Sequence, residues 1–183
     1  MTRTLPKPDG LAVLAGCVVA VLVVAMPDAA GLDTMAACLV LALTCWIAAQ
    51  DLATYTIPDG PVVAIALIGA ILRFVDPWGG GVQALGAAAL DAILCGGAML
   101  AVREGYFRLK GSDGLGFGDV KLSAACACLV GTLGFSHALL GASIAGLAVA
   151  IVVMRRTAGT RIDRLPFGAL LAPACWIVWV LAP

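Results

Sequence analysis

Long apolar blocks constrain this chain more than any other feature. They recur at about 11–26, 33–50, 60–75, 82–102, 119–134, 136–154 and 166–182. A helix needs roughly 17–25 apolar residues to cross a hydrocarbon core about 30 Å thick, and most of the blocks reach or approach that length. A soluble domain is excluded, because 62% of the residues are hydrophobic and only 12% are charged, too few to cover a water-facing surface. The expected fold is therefore all-α, a polytopic membrane bundle of six or seven transmembrane helices, read as a single domain over 1–183. Breaks between blocks carry the usual punctuation: Met26-Pro27-Asp28, Pro58, Asp76-Pro77 and Pro166, each where a proline costs a helix least. The fifth and sixth blocks divide at Ser136–His137. The first block is read as a spanning helix rather than a cleaved signal, since Pro-Asp and further spans follow it.

Net charge is zero, yet the charges are not evenly spread. With the N-terminus inside, the cytoplasmic segments hold Arg3, Lys7, Arg103, Arg108, Lys110, Lys121, Arg155, Arg156, Arg161 and Arg164. Only Arg73 falls near the other face, and the first outer loop carries Asp28 and Asp33. That asymmetry follows the positive-inside rule and places the loops around 51–59 and 103–118 in the cytoplasm. These basic clusters are juxtamembrane, so membrane lipid, not nucleic acid, is their expected partner.

The seven cysteines, Cys17, Cys38, Cys45, Cys95, Cys126, Cys128 and Cys175, all lie within apolar blocks, where a thiol acts as a small hydrophobe. There is no C-x-x-C pair and the count is odd, so neither a zinc site nor a disulfide framework is expected. His137, the only histidine, reads as a loop or interface residue rather than a catalytic one.

Ionisable groups at or within membrane helices are costly and each needs a reason. Asp51 closes the second block in WIAAQDLATYTIPDG, and Asp119 opens the fifth in GLGFGDVKL. Both fall on the cytoplasmic side at similar depth. If the bundle brings them together, repulsion and desolvation leave the pair sharing one proton near neutrality. One carboxylate then takes a proton from water while the other polarises a peptide carbonyl. Gly114, Gly116 and Gly118 allow unusual backbone angles and the close approach of a substrate strand. The plainer alternative makes Asp119 an ordinary acid at a helix N-terminus and Asp51 a solvated helix end. Asp91, inside the fourth block, is structural or lies on an ion path, with Arg73 as its nearest candidate partner. Asp59 and Asp113 read as solvated loop acids.

Three blocks, in order, resemble the type IV prepilin peptidases, membrane aspartyl proteases of the GxGD kind. DLATYTIPD at 51–59 is similar to the first aspartate block, GLGFGDVKL at 114–122 to the second, and RLPFGALLA at 164–172 to the Pro-Phe-Gly helix start that closes the family's domain. The likeness runs from about 33 to 182. It implies that Asp51 and Asp119 are the catalytic pair, that Gly116 and Gly118 shape the active loop, and that Lys121 and Pro58 support it. It further implies cleavage of the basic leader of prepilins or pseudopilins, at the cytoplasmic face of the bacterial inner membrane, without metal, nucleotide or other cofactor. Ala169 departs from the proline that many members carry after Pro-Phe-Gly.

Longer members carry a cytoplasmic domain with paired C-x-x-C motifs, linked to N-methylation. None is found here, so a short, peptidase-only form without an N-terminal zinc or methyltransferase domain is expected. Presenilin-like proteins share G-x-G-D but set a tyrosine before their first aspartate, where this chain has Gln50. The rival from another class is a small proton-coupled transporter using Asp91, Asp51 and Asp119 as proton sites; no paired repeat supports it.

Overall fold

The computed structural model describes residues 32–76, 79–111, 114–156 and 166–181. The first apolar block, Asp113, and the basic residues Arg3, Lys7, Arg161 and Arg164 lie outside the described residues. Within them the chain is all helix: α1 (Leu32–Thr54), α2 (Asp59–Val75), α3 (Val82–Lys110), α4 (Phe117–Arg156) and α5 (Gly168–Leu181). Three of these, α1, α3 and α4, are long and apolar enough to cross a membrane.

The helix ends follow local chemistry. Helix α2 has Asp59 in its first turn and Arg73 in its last, each matched to the macrodipole. The third helix runs well past the apolar block at 82–102, so residues 103–110 are helical rather than part of a polar loop. Nothing in REGYFRLK breaks a helix outright. Arg108 Nε donates to Glu104 Oε1 one turn away at 2.9 Å, a supporting i,i+4 pair. Gly111 then ends the helix at φ 68°, its N–H donating to the Phe107 carbonyl, the left-handed cap that glycine accepts without strain.

Helix α4 is two arms joined at Gly131, whose φ of 76° and ψ of 172° are not helical. The break therefore comes at Gly131, and Ser136–His137 lies inside the second arm. Chain geometry requires such a bend. A straight α4 would set Arg156 roughly 55 Å from Asp119 at 1.5 Å per residue. The twelve-residue path from Arg156 to Gly168, which lies against Asp119, reaches at most about 43 Å.

The first arm of α4 is the hub of the bundle. Leu122, Ser123, Cys126 and Ala127 are fully buried on it, and α2, α3 and α5 pack around it, with α1 against α2 and α5. Small residues permit the approach. A Cβ on Gly69 of α2 would stand 2.8 Å from the Leu129 backbone, and one on Gly96 of α3 would stand 2.9 Å from Ala124 Cβ. Close packing of this kind is how helices associate where lipid is as apolar as protein. Trp176 of α5 donates its indole N–H to the Ala37 carbonyl of α1 at 2.9 Å, so the largest buried side chain on α5 leaves no bare donor.

Candidate active site

Asp51 lies in the last turn of α1, where the macrodipole disfavours an anion. It is nevertheless 5% exposed, which rules out a solvated helix end. Its partner is another helix. Ala169 N–H donates to Asp51 Oδ2 at 2.8 Å, and the Gly168 N–H also donates to this carboxylate. The positive end of α5 thus meets the carboxylate that the negative end of α1 would repel. Pro166 and Phe167 lead into that helix start. Pro-Phe-Gly is therefore an anion-binding helix N-terminus turned onto Asp51.

Asp119 sits in the first turn of α4, 8% exposed. Its N–H donates to the Gly116 carbonyl at 3.1 Å, and its own carbonyl accepts from Ser123 Oγ. Oδ1 of Asp119 is buried without a hydrogen-bond partner among the described residues. Both carboxylates face one spot. A Cβ on Gly168 would lie 3.1 Å from Asp51 Oδ2, 3.2 Å from Asp119 Oδ1 and 2.5 Å from Ile57 Cδ1. The two oxygens are thus no further apart than those first two distances together, and the carboxylates interact electrostatically. A bare buried acceptor thus stands beside an anchored one, and the missing side chain of Gly168 is what lets both carboxylates and Ile57 approach that point.

Each alternating glycine of GLGFG answers to a different neighbour. A Cβ on Gly114 would meet the Tyr106 ring at 2.5 Å, one on Gly116 would meet Asp119 Oδ2 at 3.2 Å, and one on Gly118 would meet Ile57 Cβ at 2.9 Å. None of the three has a positive φ. Space, rather than unusual backbone angles, is what requires them. Pro58 is the N-cap of α2, with φ −71° and ψ 137°. The residue before a proline is held extended, which suits Ile57 to its place between Gly118 and Gly168. Lys121 Nζ donates to Asp59 Oδ1 at 2.8 Å and stands 5.3 Å from the centre of the Phe117 ring. Asp59 is therefore an ion-paired residue at the start of α2 and not a loop acid.

A cleft of about 450 Å³ opens over the pair, lined by Asp51, Tyr55, Ile57, Asp59, Asp119 and Lys121 among others. Tyr55 has φ 54° and is the only described non-glycine residue with positive φ. It occupies the cap of α1, with its N–H on the Asp51 carbonyl, a position glycine usually fills. Such strain costs of order 1–3 kcal/mol and concentrates at working sites.

Asp91 lies elsewhere. Its Oδ2 accepts from Arg73 Nη1 at 2.7 Å and its Oδ1 from Thr132 Oγ1 at 2.6 Å. His137 is exposed on the second arm of α4. No disulfide joins the described cysteines, and among the described residues no three His, Cys, Asp or Glu side chains converge as metal ligands would.

The model of the type IV leader peptidase family matches residues 37–151, which hold both aspartates. The chain belongs to the type IV leader peptidase family. It is 28% identical over 156 residues to a prepilin leader peptidase/N-methyltransferase of Aeromonas hydrophila, covering 84% of this chain and 52% of that protein. It is 30% identical over 146 residues to one from Burkholderia pseudomallei strain 1026b, covering 80% and 45%. The chain thus spans about half the length of the curated relatives it matches. No solved structure gives a significant match. Sequence inspection found this family through its aspartate blocks but missed Gly168, Ile57 and Tyr55 as parts of the site. Pro-Phe-Gly opening a helix was the available signal for the first.

Proposed function

We propose that the chain is an aspartyl endopeptidase that removes the short basic leader of type IV prepilins or prepilin-like proteins at the cytoplasmic face of the bacterial inner membrane. The observation that carries this reading is the convergence of two buried carboxylates, from α1 and α4, on the gap at Gly168. Asp51, held by the α5 amides, is the charged member, because N–H donors favour the carboxylate form. Asp119, whose Oδ1 has no donor, holds the shared proton. Asp51 takes a proton from a water as its oxygen attacks the scissile carbonyl carbon, and Asp119 gives its proton to the carbonyl oxygen. The tetrahedral gem-diol collapses as the C–N bond breaks, and the proton taken up by Asp51 passes to the leaving amine. A diol hydroxyl returns a proton to Asp119, leaving a carboxylic acid product and restoring the singly protonated pair. The chemistry uses carboxylates and water, without a metal or organic cofactor.

Gly116 and Gly118 keep the loop thin where the substrate backbone passes, Pro58 sets Ile57 against it, and Lys121 ties α4 to α2 at the rim. The helices form one membrane peptidase domain of six or seven spans, counting the two arms of α4 separately. Charge supports the orientation: Arg103, Arg108, Lys110 and Lys121 cluster at the aspartate end, and Arg73 lies near the other.

Cleavage of a basic-leader peptide in proteoliposomes, with a chelator present, tests the reading. Asp51→Asn and Asp119→Asn are each expected to lower kcat by about 10²–10⁴-fold, and Asp91→Asn to retain it. Cleavage that survives loss of either Asp51 or Asp119 would sink the reading.

A further inference from the structure

Arg103 is the basic residue of α3 that turns inward. It is half-buried, while Arg108, on the same helix, has a side chain 76% exposed. A cation at the end of a membrane helix ordinarily extends toward water or lipid headgroups. Here Nε instead donates to the Leu115 carbonyl at 3.2 Å, and the guanidinium stands 5.9 Å from the centre of the Phe117 ring, within reach of a cation–π attraction. Leu115 and Phe117 flank Gly116, whose carbonyl takes the Asp119 N–H. The turn is therefore tied to α3 at the Leu115 carbonyl and the Phe117 ring, and closed on itself by the Asp119 N–H. From the other side Lys121, over the same ring, pairs with Asp59 of α2. Phe117 is 52% exposed, so burial alone does not hold it.

We propose that Arg103 is a positioning residue for Asp119, fixing from α3 the glycine-rich turn that carries it. The assignment rests on the reading of Asp119 as catalytic. The turn has no side chain at Gly114, Gly116 and Gly118, so beyond the packing of Leu115 it has few side-chain contacts to define its path. The Arg103 hydrogen bond and the grip on Phe117 supply that definition. Loss of the grip lets Asp119 leave its place opposite Asp51 without unfolding the bundle.

Kinetics of Arg103→Met, Arg103→Lys, Phe117→Leu and the double variant Arg103→Met/Phe117→Leu test this in proteoliposomes, with Asp119→Asn alongside. Arg103→Met is expected to lower kcat about 10–100-fold, as loss of a charge-assisted hydrogen bond in the transition state would, with KM within about twofold. Arg103→Lys keeps the cation over the ring and lies between it and wild type. The double variant is expected within about twofold of Arg103→Met, since both changes act on one contact. Wild-type kcat in Arg103→Met and Arg103→Lys, or effects of Arg103→Met and Phe117→Leu that multiply, would overturn the assignment. So would a loss seen only in bilayers rich in anionic lipid, which would make Arg103 a headgroup anchor. An inactive Asp119→Asn beside a fully active Arg103→Met overturns this assignment alone. Activity in Asp119→Asn overturns the aspartyl reading and this assignment together.

Discussion

Gly168 carries more of the site than its size suggests. Any side chain there must displace Ile57 and crowd both aspartates. Gly168→Ala is expected to lower cleavage at least about 10-fold, the cost of a displacement of a few tenths of an ångström at a reacting centre. Gly97→Ala, where nothing lies within 4 Å, should leave cleavage unchanged and raise helix stability by about 0.5–1 kcal/mol. Equal activity in the two alanine variants would deny Gly168 its role. Asp51 and Asp119 were legible in the sequence because carboxylates stand out against an apolar background. Gly168 was not, since its importance depends on three side chains far from it in sequence. The three glycines at 114, 116 and 118 were also legible as a pattern, but the reason for each, Tyr106, Asp119 or Ile57, belongs to tertiary packing.

At the scale of elements, the bend in α4 is the feature the charges explain. A helix broken inside a membrane leaves carbonyls bare on one side and amides bare on the other. Arg73 Nη2 donates to the Ala127 carbonyl at 3.3 Å, at the end of the first arm. Asp91 accepts from the Thr132 hydroxyl and backbone N–H, at the start of the second. A cation thus meets the negative end of one arm and an anion the positive end of the other, and the two bond to each other. Asp91→Leu should therefore destabilise the detergent-solubilised protein by on the order of 1–3 kcal/mol, below the cost at a fully buried pair because this one is partly exposed. Arg73→Met/Asp91→Leu together should cost less than the sum of the single changes. Strict additivity in thermal melts would show that the brace is not shared. The sequence placed Arg73 near Asp91 correctly but put the break some five residues late. Val130-Gly131-Thr132 has no proline or charge to mark it, and glycine is common here, with 22 in the chain.

The molecule as a whole has two polar ends. One gathers the start of α2, the end of α3, the starts of α4 and α5 and the end of α1; the other holds the end of α2 and the start of α3. If the first end is cytoplasmic, a membrane-impermeant thiol reagent applied to intact cells should label Val82→Cys and spare Lys110→Cys, in a cysteine-free background. The reverse pattern would invert the orientation. The apolar blocks made the succession of helices readable from sequence. The helical extension of α3 was hidden because polar composition resembles a loop until helix pairing is seen. A further consequence concerns synthesis. The donor on α5 and the acceptor on α1 are 118 residues apart. At roughly 5–20 residues per second, a nascent chain carries Asp51 without its amide partners for on the order of ten seconds. Until its last described helix has docked, the nascent chain therefore lacks the donors that the proposed mechanism uses to hold Asp51 as a carboxylate.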